Sequence, residues 1–145
     1  MGGPLAAGAG LTPQAASVLK ERSSIMVPIL GFLTCAIYAL VWKYQTEEEL
    51  LAATGDTSIK PGMDILLTFV TCGIWAIVTD YRNAKKCADV FRAAGIQRDN
   101  STAVLLCMIF GLHFVAWYLL QEEFNALARL AQGRPVLATP PSAMA

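Results

Sequence analysis

Two stretches of this sequence carry the same pattern, LTCAIYALVWKY at residues 33–44 and VTCGIWAIVTDY at residues 70–81. A displacement of 37 residues aligns 29–44 with 66–81, and eight of the sixteen paired residues are identical. Apolar composition produces some chance similarity, but the shared order of Thr, Cys, a small residue, Ile, an aromatic residue and Ala is too specific for that. The chain therefore contains an internal repeat. A displacement of 38 pairs Gly73 with Gly111 and little else, so any third copy has diverged.

The repeats belong to two of three apolar segments that are almost free of charge. The first, about residues 25–44, and the third, about 101–121, match the roughly 20 residues that a helix needs to cross a bilayer. The second, about 63–81, has only 15 residues between its bounding aspartates, so a re-entrant or interfacial segment is the alternative to a short span. The sequence predicts an all-α integral membrane bundle of three transmembrane helices with amphipathic helical extensions.

The composition also indicates a membrane protein. Hydrophobic residues make up 55% of the 145 residues and charged residues 15%, whereas about a quarter of a soluble domain is charged. The remaining polar side chains are too few to cover a water-soluble surface, so the lipid bilayer is the expected partner. The formal net charge is zero, which provides no basic field for the phosphates of nucleic acid. Nucleic-acid binding is therefore excluded from the expected functions.

Charge and small-residue content suggest the domain limits and the topology. Residues 1–22 and 133–145 are rich in Gly, Ala or Pro and are predicted to be flexible tails on either side of a membrane domain at 23–132. Three consecutive glutamates at 47–49 are predicted to form a solvated acidic turn, and residues 82–94 an amphipathic helix. Seven Lys and Arg residues lie on the N-terminal side of a three-span topology and four on the other. The N-terminus is therefore expected inside.

Several motifs resemble those of a known family. They are TCGIW at residues 71–75, DILL at 64–67, DNS at 99–101 and QEEFNAL at 121–127. The pattern is similar to a family of small bacterial membrane proteins catalogued only as a domain of unknown function, with repeated Thr-x-Gly-Ile-Tyr-Gly segments. The likeness covers about 23–131 and departs at Ala36 and Ala76, where the family tends to have glycine, and at Thr79, where tryptophan is common. It implies a location in the bacterial cytoplasmic (inner) membrane and supplies no catalytic residues.

Four ionisable side chains are candidates for a functional role, because charge is costly within a membrane. They are His113, Asp64, Lys43 and Asp80. His113 is the one histidine of the chain and falls in the middle of the third segment, where a neutral imidazole bonded to a neighbouring helix is the alternative. Lys43 is expected to pair with Asp64 at one membrane face, and Asp80 to lie at the opposite face; charges that reach the headgroup water are the alternative.

Seven small or hydroxyl residues are predicted to let helices pack closely. They are Thr34, Cys35, Ala36, Thr71, Cys72, Gly73 and Gly111. The hydroxyls of Thr34 and Thr71 are also expected to donate hydrogen bonds to the carbonyls of Leu30 and Leu67, and a bend is expected at residues 71–73. A soft-metal site formed by the cysteines and the histidine is a weak alternative because their spacing is scattered. Neither a metal nor a cofactor is expected.

No chemistry-bearing motif is present in the sequence. It contains no nucleophile with a base at usable spacing and no phosphate-binding loop. The leading hypothesis is therefore a non-enzymatic, multi-pass membrane protein that associates with itself or with a larger membrane complex. The alternative is a small oligomeric channel or transporter that uses His113 and the polar packing residues, by analogy with transporters built from repeated units.

Overall fold

The structure is a computed structural model that describes residues 8–137. Within this range the chain forms seven α-helices and no strand, which confirms the all-α prediction. The helices are α1 (Ala15–Val18), α2 (Met26–Leu33), α3 (Ile37–Thr54), α4 (Pro61–Val70), α5 (Ile74–Ala93), α6 (Ser101–Ile109) and α7 (His113–Ala131).

Each of the three apolar segments is divided between two helices. Tight turns at 34–36, 71–73 and 110–112 separate α2 from α3, α4 from α5, and α6 from α7. The prediction of three continuous transmembrane helices is corrected accordingly. In the described part of the chain, no helix combines the length and the apolar character that crossing a bilayer requires.

The first two turns share one backbone geometry. Cys35 and Ala36 have left-handed φ angles of 51° and 72°, and Cys72 and Gly73 have φ angles of 53° and 90°. The second residue of each pair donates its N–H to the carbonyl five residues earlier, at 2.8 Å in both turns. This bond is typical of the Schellman motif that ends many helices. The repeat in the sequence is therefore a repeat of the turn that reverses the chain.

The predicted threonine hydrogen bonds are confirmed. The hydroxyls of Thr34 and Thr71 donate to the carbonyls of Leu30 and Leu67, each at 2.7 Å. Each hydroxyl oxygen also accepts the backbone N–H four residues later, at 2.9 Å. One side chain thus joins the helix before the turn to the helix after it. The bend expected at Gly73 is a reversal of the chain rather than a kink.

The third turn is a diverged copy. Leu112 donates its N–H to the carbonyl of Cys107 at 2.7 Å, and Gly111 has a φ of 77°. By this bond, Leu112 is equivalent to Gly73, which lies 39 residues earlier. The displacement of 38 that pairs Gly73 with Gly111 is thus wrong by one residue, and the third copy remains dissimilar in sequence at the displacement of 39.

Long-range polar contacts show that each pair of helices folds back on itself. Arg82 Nη2 lies 2.8 Å from Asp64 Oδ2, although residues 18 apart in one straight helix are about 27 Å apart. Asn100 Nδ2 donates to Glu123 Oε1 at 2.6 Å, and Arg22, just before α2, pairs with Glu49 of α3 at 2.6 Å. We call the three units hairpin 1 (α2–α3), hairpin 2 (α4–α5) and hairpin 3 (α6–α7).

The hairpins lie side by side with their turns at the same end. Near the turns, the rings of Phe32 in hairpin 1 and Phe114 in hairpin 3 are 5.7 Å apart. Gly31 permits a close approach of the same two hairpins, because a Cβ there would lie 2.8 Å from Cζ3 of Trp117. Toward the other end, the indole of Trp42 donates to the side chain of Gln121 at 2.6 Å. We call the turn end the tips and the other end the base.

Two parts of the chain depart from the sequence predictions at the base. Residues 11–19, predicted to belong to a flexible tail, pack on α3 instead; Thr12 donates its N–H to Ala53 and its hydroxyl to Ala52, both at 2.7 Å. The predicted acidic turn at 47–49 is wrong, because α3 continues through these residues to Thr54 and is capped by Gly55, which has a φ of 67°. Of the predicted tails, residues 1–7 and 138–145 lie outside the described residues.

Candidate functional site

The candidate site begins with an ion pair between hairpins 1 and 2. The side chains of Lys43 and Asp80 make direct contact, and they are only 5% and 1% exposed. Lys43 also lies 3.1 Å from Oε1 of Glu47, one helical turn further along α3. A buried ammonium is tolerated only when such partners replace its hydration. Burial lowers the pKa of Lys43, but attraction and hydrogen bonds from Asp80 and Glu47 outweigh it and raise this pKa above its ordinary value.

Glu47 is the least satisfied member of this cluster. Its side chain is fully buried, and Oε1 accepts a hydrogen bond from Asn83 Nδ2 at 2.9 Å while lying 3.6 Å from Arg82 Nη2. The second oxygen, Oε2, has no hydrogen-bond partner among the described residues. Burial raises the pKa of Glu47 above its ordinary value, although Lys43 and Asn83 act in the opposite direction. The protonated carboxyl is therefore favoured here more than in water.

Asp64 completes the cluster from the start of α4. Its two oxygens accept hydrogen bonds from Trp75 Nε1 at 3.0 Å and from Arg82 Nη2 at 2.8 Å. Burial raises the pKa of Asp64, but these bonds and the charges of Arg82 and Lys43 outweigh burial and lower the pKa below its ordinary value. Asp64 is therefore held ionised, and its bonds to Trp75 and Arg82 join α4 to α5 at the base of hairpin 2.

The cluster carries an excess of one carboxylate. It contains two cations, Lys43 and Arg82, and three acids, Glu47, Asp64 and Asp80. With every group ionised its net charge is −1, and one proton on Glu47 makes it neutral. Because a buried net charge is costly, the arrangement favours that proton.

The structure brings together three of the four predicted polar residues but pairs them differently. The expected pair of Lys43 with Asp64 is wrong, because Lys43 contacts Asp80 and Glu47 whereas Asp64 contacts Arg82. The expectation that Asp80 lies away from Lys43, at the opposite end of the segments, is also wrong, because the two side chains are in contact. Both errors follow from treating each segment as one straight helix; a hairpin brings the two ends of a segment to the same side.

An apolar cavity of about 530 Å³ lies between the three hairpins next to this cluster. Lys43 and Asp80 form part of its wall, and its exposed lining residues, Ala36, Phe69 and Cys72, belong to the tips. The cavity thus extends from the tips to the buried ion pair. Its volume falls within the roughly 300–1,000 Å³ that is typical of small-molecule sites.

His113 and Thr68 are the other polar residues of this cavity. His113 is not in the middle of a helix as expected; it is the first residue of α7, next to the third turn, and its ring centroid lies 6.3 Å from that of Trp117. Thr68 is 7% exposed, and its Oγ1 has no hydrogen-bond partner in the described part of the chain. A buried hydroxyl without a partner is unfavourable, so this atom is a feature that a ligand would satisfy.

The residues predicted to pack helices together lie at the turns instead. Thr34, Cys35 and Ala36 form the first turn, Thr71, Cys72 and Gly73 the second, and Gly111 the third. Five of the seven are exposed, so their role within the chain is to reverse its direction. Within residues 8–137, no three His, Cys, Asp or Glu side chains converge as ligands for a metal ion.

A second buried glutamate was not among the residues predicted from the sequence. Glu123 of hairpin 3 is fully buried and pairs with Arg98 at 2.8 Å and with Asn100 at 2.6 Å. By the equivalence of the turns it occupies the position of Glu47 in hairpin 1. Burial raises the pKa of Glu123 above its ordinary value, against the opposing charge of Arg98. A spacing of four from Lys43 is a sequence signal that could have indicated Glu47, but Glu123 has no such partner on its own helix.

One comparison with known proteins gives a match. Residues 22–89 match the model of a family described as a domain of unknown function (DUF4234). The matched range contains hairpin 1 and most of hairpin 2, and it ends before hairpin 3. No curated protein matches the chain, and no solved structure does. The bacterial location and the repeated Thr-x-Gly-Ile-Tyr-Gly pattern that the resemblance implies stay expectations.

Proposed function

We propose that this protein is a membrane protein held in one leaflet by its three hairpin tips, with the polar base in the headgroup and aqueous region. The observation that carries this proposal is the phenylalanine at each tip. Phe32, Phe69 and Phe110 are 69%, 75% and 74% exposed. Isolated apolar residues are common on protein surfaces, but contiguous apolar patches mark a membrane or a partner.

The surroundings of these phenylalanines support lipid as the solvent for the tips. Other large apolar side chains are also more than half exposed near the turns; they are Leu33, Ile37, Leu66, Val70, Ile74, Ile109 and Leu112. The outer groove between hairpins 1 and 3 is lined by apolar side chains with almost no polar surface. Charged residues are absent from all three turns. Transfer of this surface out of water is favourable at about 25 cal/mol per Å².

The backbone of the tips is compatible with such an environment. A polar backbone group in hydrocarbon must be satisfied internally, and the hydrogen bonds that close each turn do this for several of the groups there. In the first two turns, the threonine hydroxyl adds a further donor and acceptor. Each tip is thus a helix end with much of its hydrogen bonding complete.

This arrangement differs from the three-span expectation in its topology. A hairpin that enters and leaves on the same side places the connections after α3 and after α5 on one side of the membrane. Three spans place these two connections on opposite sides. The bacterial inner membrane remains the location that we propose, and the number of crossings is what the experiment below decides.

Within the membrane we propose a non-enzymatic binding or accessory role. The cavity between the hairpins supports a binding role. Its lining offers few polar groups that could take part in catalysis, so an enzymatic role is not proposed. Self-association is a second component of the proposal, since the exposed faces of the hairpins present a large apolar area. A channel in a single copy is less favoured, because Lys43 and Asp80 form part of the cavity wall as a closed ion pair.

Chemical labelling of one side of sealed membranes tests the proposal. Thr57→Cys and Gln97→Cys place a thiol in each connection at exposed positions, in a background that carries Cys35→Ser and Cys72→Ser. A membrane-impermeant maleimide is then added from outside, and labelled peptides are identified by mass spectrometry after purification. We expect the two thiols to be labelled to the same extent. Labelling of one and protection of the other would overturn the single-leaflet arrangement and restore a spanning second segment.

A further inference from the structure

We infer that the cavity between the three hairpins binds one membrane amphiphile with an apolar chain and an uncharged, hydrogen-bonding head group. This inference rests on the proposed function, because it takes the open end of the cavity to face the lipid chains. The exposed lining residues belong to the tips, while Lys43 and Asp80 are buried. A ligand that enters from the bilayer therefore passes the tips, where His113 lies, and the buried ion pair closes the far end of the cavity.

The apolar part of the ligand is indicated by the cavity wall. Phe69 and Trp117 provide accessible apolar surface, and small residues such as Ala76 leave the space open. A hydrocarbon chain matches these surfaces without requiring hydrogen bonds. Such a site, mostly apolar with a few placed polar groups, is the usual form of a small-molecule pocket.

The head group is indicated by the unpartnered hydroxyl of Thr68. Thr68 lines the cavity. Its Oγ1 is buried and can both donate and accept a hydrogen bond. A hydroxyl or ester carbonyl of a ligand satisfies it without introducing charge. His113 lines the same cavity and adds a second group able to bond an uncharged oxygen.

A charged head group is disfavoured by the ion pair. Lys43 already contacts Asp80 and Glu47, so an anionic head must compete with two carboxylates for the ammonium. A cationic head meets the same ammonium at short range. Because breaking a buried pair leaves an uncompensated charge, a neutral monoacylglycerol fits this site better than a fatty acid does.

Quenching of tryptophan fluorescence provides the readout, since two of the three tryptophans line the cavity. The full chain is placed in nanodiscs of unbrominated phosphatidylcholine, and dibromostearoyl-glycerol is added at increasing mole fraction. Dibromostearoyl-phosphatidylcholine at equal mole fractions reports random collisions. We expect saturable quenching by the monoacylglycerol that exceeds the phospholipid control. Equal, non-saturating quenching by both would overturn the inference.

Two variants test the site itself. Thr68→Val removes the hydroxyl with little change in volume, so we expect about fivefold weaker binding, the worth of one neutral hydrogen bond, and no loss of thermal stability. Thr102→Val, at an exposed position of α6, is the matched control. Ala76→Leu fills the cavity and should abolish saturation, whereas Ala93→Leu on the exposed end of the same helix should not. Unchanged binding in both cavity variants would contradict the assignment.

The class of head group and the membrane proposal are tested separately. Ionised dibromostearate that binds as tightly as the monoacylglycerol would overturn the assignment to a neutral head. Failure of the protein to float with vesicles of phosphatidylcholine would reject the membrane proposal. Flotation without saturable quenching would reject only the cavity inference.

Discussion

Lys43 and Asp80 occupy equivalent positions in hairpins 1 and 2, 37 residues apart, and their side chains meet in the buried interface between the two units. Where two copies of one unit meet about a pseudo-two-fold axis, equivalent residues near that axis face each other. A lysine opposite a lysine would be repelled there. Here hairpin 1 has a lysine and hairpin 2 an aspartate at this position, so the two side chains attract each other. The pair therefore gives the interface a specific register.

We expect this pair to be strongly coupled. Lys43→Met or Asp80→Leu alone leaves a buried charge without its partner and should cost about 3–5 kcal/mol of unfolding free energy. The double variant should cost at least about 1 kcal/mol less than the sum of the two. Chemical denaturation in detergent measures this cycle. The Lys86–Asp56 pair, 2.9 Å apart and partly exposed, is the control and should couple by less than about 1 kcal/mol; additive losses at Lys43 and Asp80 would contradict the buried pair.

The buried glutamates predict an unusual dependence of stability on pH. The pKa of Glu47 in the folded protein lies above its ordinary value of 4.5, so between these two values the folded state holds more protons than the unfolded state. Stability from this group is therefore present below the lower value and is lost as the pH rises through the higher one. Unfolding free energies measured from pH 4.5 to 8 should fall with rising pH.

Glu47→Gln tests whether Glu47 is the source of this slope. The variant should reduce the slope in that window, and Glu123→Gln should reduce it further, since burial also raises the pKa of Glu123. Glu48→Gln, at an exposed position of α3, is the control and should leave the slope as it is. A wild type whose stability rises with pH across this window would contradict the assignment.

The turns give a reciprocal prediction at one structural position. Ala36 and Gly73 are equivalent and both have positive φ, and a Cβ on Gly73 would meet no atom within 4 Å. At this position alanine then differs from glycine only in the backbone strain of a left-handed φ, which costs about 1 kcal/mol of unfolding free energy. Ala36→Gly should stabilise the protein by about that amount and Gly73→Ala should destabilise it, as measured by chemical denaturation. Gly62→Ala, inside α4 with open space at its Cβ, is the control for helix propensity, and the same sign at both turns would contradict the shared geometry.

Much of the fold was accessible from the sequence, but the direction of the chain was not. The repeat and both threonine hydrogen bonds were predicted correctly. The departure at Ala36 from the family's glycine falls at a left-handed position, and this was a sign of a turn. The prediction of three spans relied on segment length instead. Length does not separate the two cases, because an apolar run of about 20 residues has the same composition whether it crosses a bilayer or turns back within it.

The candidate site was predicted only in part for the same reason. Lys43, Asp64 and Asp80 were selected because charge beside apolar segments is costly, and they do share one cluster. Their partners Glu47 and Arg82 were missed, since both looked like members of solvated connecting segments. Which charges meet depends on three chain reversals, and no local pattern specifies that arrangement.

The tips predict how tightly the protein binds lipid. Phe69 is 75% exposed, and transfer of a phenylalanine side chain from water to an apolar phase is worth about 1.5–3 kcal/mol. Phe69→Ser should therefore lower the partition coefficient into phosphatidylcholine vesicles by about tenfold or more, measured by flotation, with little change in folding. Leu137→Ser, which changes an 81% exposed residue away from the tips, should leave partitioning nearly unchanged. Equal effects of the two variants would argue against insertion by the tips.

The reactivity of two native cysteines shows whether the tips lie within the lipid. Cys35 and Cys72 are exposed at the tips of hairpins 1 and 2. With the wild-type protein in intact vesicles, a membrane-impermeant maleimide applied from both sides should leave these two thiols unmodified, whereas denaturation in detergent should make both react. Rapid modification of Cys35 and Cys72 in the intact vesicles would place the tips in water and reject the single-leaflet arrangement.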